Sequence, residues 1–98
     1  MAANTYTRRL SQEDVETGSI LVTKDRWRLF PPPMQEFVVE VGGQRFQTRI
    51  VAEECSCVPP PHQHYHLEAG HFRHLLIFAP KASVTFERVT GGAYRVSN

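Results

Sequence analysis

The sequence predicts a small, mainly β domain, barrel-like or sandwich-like, with five or six short strands and at most one or two short helices. Three observations predict it. Apolar and polar residues alternate over Phe37–Val41 and again from Gln44 to about Ala52, the period of a half-buried strand. Two glycine pairs, Gly42-Gly43 and Gly91-Gly92, follow such runs and tolerate the positive φ of tight hairpins. Two triple prolines, Pro31–Pro33 and Pro59–Pro61, stand where a central strand cannot continue.

Size and composition set the frame. Ninety-eight residues make one domain, which buries only about two thirds of its unfolded surface, so the core is thin. With 41% hydrophobic and 21% charged residues, the chain is globular rather than disordered. Eleven Lys/Arg against ten Asp/Glu leave a net charge of +1, so no overall basic or acidic field announces a partner. No run of about 18 apolar residues exists, so no membrane partner is expected. Residues 1–10 lack an apolar signal core, so an intracellular location, cytoplasmic or nuclear, is expected. Cys55 and Cys57 are the only cysteines, too close for a useful staple, and are expected to be reduced.

The elements follow in order. Residues 1–17 are polar and read as an N-terminal arm, ahead of a single barrel-like domain over residues 18–98. Within the arm, Ser11 followed by Glu13 and Asp14 is a helix-start signal, enough for one short turn. Ser19–Thr23 is rich in strand formers, and the basic run Lys24-Asp25-Arg26-Trp27-Arg28 follows it directly. The hairpin across Gly42-Gly43 places Phe37, Val39 and Val41 on one face. Its return strand points Phe46, Thr48, Ile50 and Ala52 inward and Arg45, Gln47 and Arg49 outward. Residues 55–66 read as a long connection or a sheet edge. Ala69–Phe78 fits either a helical face or a strand through Leu75–Phe78. Ser83–Val89 is a strand with Val84 and Phe86 inward, and Tyr94–Val96 pairs back across Gly91-Gly92.

Two tracts carry chemistry. All five histidines, His62, His64, His66, His71 and His74, fall within thirteen residues. If 62–66 is extended, His62, His64 and His66 share one face. One reading is a metal site drawn from Cys55, Cys57, His62, His64, His66 and Glu68, since thiolate plus imidazole is a zinc-like ligand set. The Cys-x-Cys spacing is tighter than that of zinc fingers. His62-x-His64-xxx-Glu68 also resembles the first cupin motif, which implies a metal enzyme. No histidine follows His74 to complete such a site. The other reading is a polar contact surface of imidazoles, with Tyr65 and Leu67 facing the core. The second tract is Lys24, Arg26 and Arg28, opposed only by Asp25, with Trp27 as anchor. Arg45 and Arg49 flank Gln47 on one strand face. Cations beside a planar amide are the chemistry that contacts phosphates and base edges.

The C-terminal half then resembles a known family. His66-Leu67-Glu68-Ala69-Gly70-His71-Phe72-Arg73-His74-Leu75, followed by Lys81-Ala82-Ser83-Val84-Thr85-Phe86-Glu87-Arg88, is similar to the end of a B3-type domain. The first half has the matching order of a strand, a basic segment, Leu29-Phe30-Pro31 and a glycine-turned hairpin, so the resemblance spans roughly residues 18–96. B3 domains and the related N-terminal domains of some restriction enzymes are DNA-binding pseudobarrels. The resemblance therefore implies a mainly β pseudobarrel of about six or seven strands that grips the major groove with two arms. The first arm would be Lys24, Arg26 and Arg28 with Trp27, and the second the loop around His62, Gln63 and His64.

The sequence thus predicts a non-catalytic module for double-stranded DNA, with Arg45, Gln47 and Arg49 as further contacts. Transcription and restriction contexts both fit, the latter with a separate catalytic or regulatory subunit. No catalytic residue and no cofactor are expected. Zinc belongs to the alternative reading, and a protein-interaction module using a sheet edge is a third. Phosphate-binding loops and nucleophile motifs are absent from the sequence.

Overall fold

The computed structural model describes residues 4–55 and 62–98. The described chain runs β1 (Thr5–Arg9), α1 (Gln12–Thr17), β2 (Ser19–Val22), a 3-10 helix (Lys24–Leu29), β3 (Phe37–Val41), β4 (Gln44–Thr48), β5 (Ile50–Cys55), β6 (His62–Glu68), a 3-10 turn (Arg73–Leu75), β7 (Ser83–Arg88) and β8 (Tyr94–Ser97). Five strands form one sheet in the order β1-β7-β8-β3-β4, and three form another in the order β2-β6-β5. Every pairing is antiparallel except β3 with β8.

The hairpin β3–β4 stands where the alternation places it. Phe37, Val39 and Val41 are buried, and Gly42 and Gly43 take φ of 57° and 80°, the left-handed pair of a type I′ turn. Val84 and Phe86 point inward from β7, and β8 returns antiparallel across Gly91-Gly92. The predicted return strand is split in two. At Arg49 the chain turns a corner, so β4 belongs to one sheet and β5 to the other. The Thr48 hydroxyl donates to the Glu68 carbonyl, and the Glu68 N–H donates to the Arg49 carbonyl at 3.2 Å, which pins the corner to β6. Inward alternation survives it, with Thr48 and Ile50 both buried.

Eight described strands exceed the expected six or seven because of this division and because of β1. Residues 5–9, read from the sequence as part of an arm, pair along β7, with Tyr6 and Leu10 in the core. Helix α1 then begins on a reciprocal cap. Ser11 Oγ accepts from the Asp14 N–H at 3.1 Å, and Asp14 Oδ2 accepts from the Ser11 N–H at 3.0 Å. The helix stops at Gly18, whose φ of 71° is a left-handed cap that a side chain would strain.

Two other expectations change. Residues 62–68 form the middle strand of the three-stranded sheet rather than an edge or connection, hydrogen-bonded to β2 and β5. The prolines at 59–61 lie outside the described residues. Over 69–78 the chain makes only the short 3-10 turn, with Phe72 fully buried as its anchor.

Aromatic rings fill the space between the sheets. Phe30 lies 5.1 Å from Tyr94, 5.6 Å from Phe86, 6.0 Å from Phe37 and 6.1 Å from Tyr6, centroid to centroid. Such pairs add about 0.5–1.5 kcal/mol each beyond the area they bury. The Tyr94 hydroxyl donates to the Leu29 carbonyl, fixing the end of the Lys24–Leu29 helix to β8. Burial raises the ionisation of both Tyr6 and Tyr94 above the ordinary phenol value.

Candidate nucleic-acid interface

Strand β2 delivers the basic tract to the protein's surface. The 3-10 helix that follows is held by Trp27 and Leu29, not by its cations. The Trp27 indole N–H donates to the Val22 carbonyl at 2.9 Å. Its ring stacks on Tyr65 of β6 at 3.8 Å and 9° between planes. Leu29 is buried, while Lys24 and Arg28 are exposed and Arg26 is half-buried. Asp25 is held below the usual carboxylate range, first by a hydrogen bond from the Thr23 side chain, then by one from its own backbone N–H, and last by the Arg26 charge. It stays ionised at neutral pH, so the tract carries three cations against one anion.

Four of the other arginines are held by carboxylates. Arg8 pairs with Asp14 at 2.9 Å, Arg45 with Glu40 at 2.9 Å, Arg49 with Glu68 at 3.1 Å and Arg95 with Glu87 at 3.7 Å. Among the described residues, Lys24, Arg26 and Arg28 make no ion pair. Arg9, Arg73, Lys81 and Arg88 make none either, but only Lys24, Arg26 and Arg28 fall within five residues, so a near-neutral chain keeps a compact positive tract beside β2.

The second tract meets the first. Lys24 and Trp27 line one small cavity of about 200 Å³ together with His62, Gln63 and His64. The join is the Trp27–Tyr65 stack. Tyr65 and Leu67 face the core side of β6, as expected, and the alternate residues His62, His64 and His66 share the opposite face. Ring centroids are 4.6 Å apart for His62 and His64 and 6.3 Å apart for His64 and His66.

Arg26 opens on a separate concavity of about 420 Å³ with Arg8 and Arg9 of β1. Sequence reading missed these two. The signal was present in the Arg8-Arg9 pair, but only the β1–β7 pairing carries it alongside the tract. By contrast, Arg45, Gln47 and Arg49 do not line the Lys24–His64 cavity. Arg45 borders a different cleft with Arg88 and Tyr94, Gln47 is exposed opposite Val38, and Arg49 lies at the sheet corner.

Two of the residues named for a metal site, Glu68 and His66, face charged neighbours. Glu68 is engaged by Arg49, and His66 turns its Nε2 toward Glu53 Oε1 at 3.9 Å. The buried His66 Nδ1 has no hydrogen-bond partner. His71 lines a cavity of about 430 Å³ with His66, Glu53 and Glu68, whereas His74 lies edge-on to Phe46 at 6.4 Å. Among the described residues, no group of three or more His, Cys, Asp or Glu side chains is placed to hold a metal ion. Cys57 lies outside the described residues, and Cys55 ends β5 opposite His62 in the strand register. Among the described residues, no helix is long and apolar enough to cross a membrane.

No family model matches the sequence, and no curated protein matches it. The fold does have a counterpart. The chain is similar to one in the Arabidopsis FUS3–DNA complex, with a TM-score of 0.74 and 13% identity, over 94% of this chain and 92% of the other. The fold is B3-like, in agreement with the resemblance read from the sequence.

Proposed function

We propose that the protein is a non-catalytic module that binds duplex DNA and reads the major groove with two arms. One arm is Lys24–Arg28, and the other is the start of β6 over His62–His66. The observation that carries this reading is the meeting of two sequence-distant tracts in one surface. Lys24, His62, Gln63 and His64 share a cavity, and Trp27 on Tyr65 clamps the tracts together. The likeness of the fold to a chain seen with DNA adds support.

The chemistry follows from the side chains. Lys24, Arg26 and Arg28 neutralise phosphates and position the module. The Gln63 amide presents the donor and acceptor pair that matches an adenine edge, and His62 and His64 donate to phosphates or bases. Arg9 extends the phosphate track along β1. Arg45, Gln47 and Arg49 extend it along β4 and the corner. Arg45 and Arg49 would exchange Glu40 and Glu68 for phosphate, and such exposed pairs hold by no more than about 1 kcal/mol. No step of bond chemistry is assigned to any residue. A cleaving or regulatory activity would come from a separate subunit.

The test is fluorescence anisotropy with a pool of random short duplexes at low and high salt. The expected result is binding that weakens as salt rises, by about 0.9 in the log–log slope per phosphate contact. Selection from the same pool then gives the sequence read. An unchanged anisotropy even at the lowest salt would refute the proposal.

A further inference from the structure

We infer that the cleft beside Arg88, at the end of the sheet where β3 and β8 begin, binds a small organic monocarboxylate with a flat apolar body. The inference goes beyond the DNA reading and does not depend on it.

The cleft measures about 720 Å³, within the roughly 300–1,000 Å³ of small-molecule sites. It lies between the Leu29–Pro31 segment and the Gly91-Gly92 turn, at the start of the parallel pair β3 and β8. Pro31 and Val38 are half-buried there, beside the edges of Phe37 and Ala93. Apolar walls with a few polar groups are the usual build of a ligand site.

Arg88 is the reason to expect an anion. It follows Val84 and Phe86 on the inward side of β7, so its stem leaves the strand over the aromatic core. Its Nη1 donates to the Leu29 carbonyl at 3.4 Å, and the guanidinium also acts on the Tyr94 hydroxyl by charge and by hydrogen bond. Both partners are neutral. No carboxylate among the described residues pairs with Arg88. A guanidinium is a planar fork of five donors whose shape matches a carboxylate. An arginine on the inward side, without a counter-ion and beside an open cleft, is matched by a carboxylate that arrives from outside.

The other charges set the valence. Arg45 borders the same cleft, but Glu40 holds it at 2.9 Å. Glu36 stands on the rim, exposed and without an ion pair to a described residue. A second negative charge on the ligand would meet Glu36 and find Arg45 already engaged. One carboxylate suits this balance better than a dianion.

Filling the site leaves the fold intact. Arg88 can turn from the Leu29 carbonyl to a ligand because the Tyr94 hydroxyl donates to that carbonyl as well, so no buried acceptor is left bare. Gly91 and Gly92, with φ of 88° and 80°, form the lip. Nothing lies within 4 Å of where either Cβ would stand, so the entrance is open.

Titration of the isotope-labelled full chain with benzoate, followed by nuclear magnetic resonance at constant ionic strength, tests this. The expected result is a saturable shift of the Gly91, Gly92 and Ala93 amides and of the Arg88 Nε–H. The Kd should fall in the millimolar range that a ligand of this size can reach. Benzyl alcohol, of similar size but uncharged, should bind at least about tenfold more weakly through loss of a charge-assisted contact, a comparison that needs no variant to fold. Terephthalate, with a second carboxylate, should bind no more tightly than benzoate. Arg88→Gln keeps a donor for the Leu29 carbonyl and should weaken benzoate by at least about tenfold. Lys81→Gln, outside the cleft, should leave it unchanged. No saturable shift at residues 91–93, equal binding of benzyl alcohol, tighter binding of terephthalate, or benzoate binding that survives Arg88→Gln would each overturn the inference.

Discussion

Trp27→Ala tests the join between the two tracts. The substitution removes a stack on Tyr65 at 3.8 Å and an indole hydrogen bond to the Val22 carbonyl at 2.9 Å. A net hydrogen bond contributes about 0.5–1.5 kcal/mol. An aromatic pair adds about 0.5–1.5 kcal/mol beyond its area. Burial adds more, but Trp27 is only partly covered, so the loss falls below the roughly 3–5 kcal/mol of a fully buried aromatic. The expected destabilisation is about 2–4 kcal/mol, a large share of the ~5–15 kcal/mol that holds a domain of this kind. Trp27→Phe keeps a ring on Tyr65 and should cost about 1 kcal/mol, mostly the lost hydrogen bond. Because Trp27 is the chain's one tryptophan, unfolding of the variants must be followed by circular dichroism in urea. Duplex binding supplies the second readout. Trp27→Ala leaves Lys24, Arg26 and Arg28 in place, so the salt slope should hold. Affinity should fall by about tenfold, or 1.4 kcal/mol, because the arms are no longer pre-positioned. A stability loss below about 0.5 kcal/mol, within the range of an ordinary surface change, together with unchanged duplex affinity, would refute the reasoning.

Three further outcomes are expected. Replacing Lys24, Arg26 and Arg28 together by Ala should flatten the salt slope of duplex binding by up to about 2.7, at about 0.9 per lost phosphate contact, as measured by anisotropy across a salt series. The folded state should be little affected, since none of the three holds an ion pair with a described residue. Asp14→Ala should cost about 3–5 kcal/mol in urea unfolding, because it strips a buried carboxylate from Arg8, Ser11 and Leu21 at once. Stability should also decline as pH rises beyond about 10. Tyr6 and Tyr94 ionise later in the folded chain than the 10.0 of a free phenol, so the unfolded chain loses its protons first and is favoured. A scan of thermal midpoint against pH from 8 to 11 would show this, and a flat profile would contradict it.

What the sequence made legible follows from the range of the forces involved. The β3–β4 hairpin was readable because alternation over Phe37–Val41 and the Gly42-Gly43 turn are both local. β1 was not, because Thr5–Arg9 carries a single inward aromatic, Tyr6, and becomes a strand only by pairing with β7. β6 was mistaken for a connection or edge for a similar reason. The prolines ahead of it in the sequence and its own histidines suggest irregular chain, while the alternation of Tyr65 and Leu67 that builds the strand is only two residues deep. The corner at Arg49 left no mark, since inward residues keep their parity through it. Of the candidate site, the charge of Lys24–Arg28 was plain from composition. Its contact with His62–His64 depends on a ring stack between residues far apart in the chain, and Arg9 enters only through a strand pairing. Arg45 and Arg49 looked available by face alone, and their carboxylate partners are visible only in the folded chain.

The corner at Arg49 bears on how the length of this chain can vary. One continuous stretch, Gln44–Cys55, serves as an outer strand of both sheets, so a single register governs them together. An extra residue at the bend would leave β4 in place and turn β5 over, driving Ile50 out to solvent and Glu53 toward the interior. A deletion would do the same. The bend is therefore a counting point, where the number of residues matters more than their kind. The turn at Gly91-Gly92 carries no such constraint on a second sheet, so growth or loss of chain is better absorbed there.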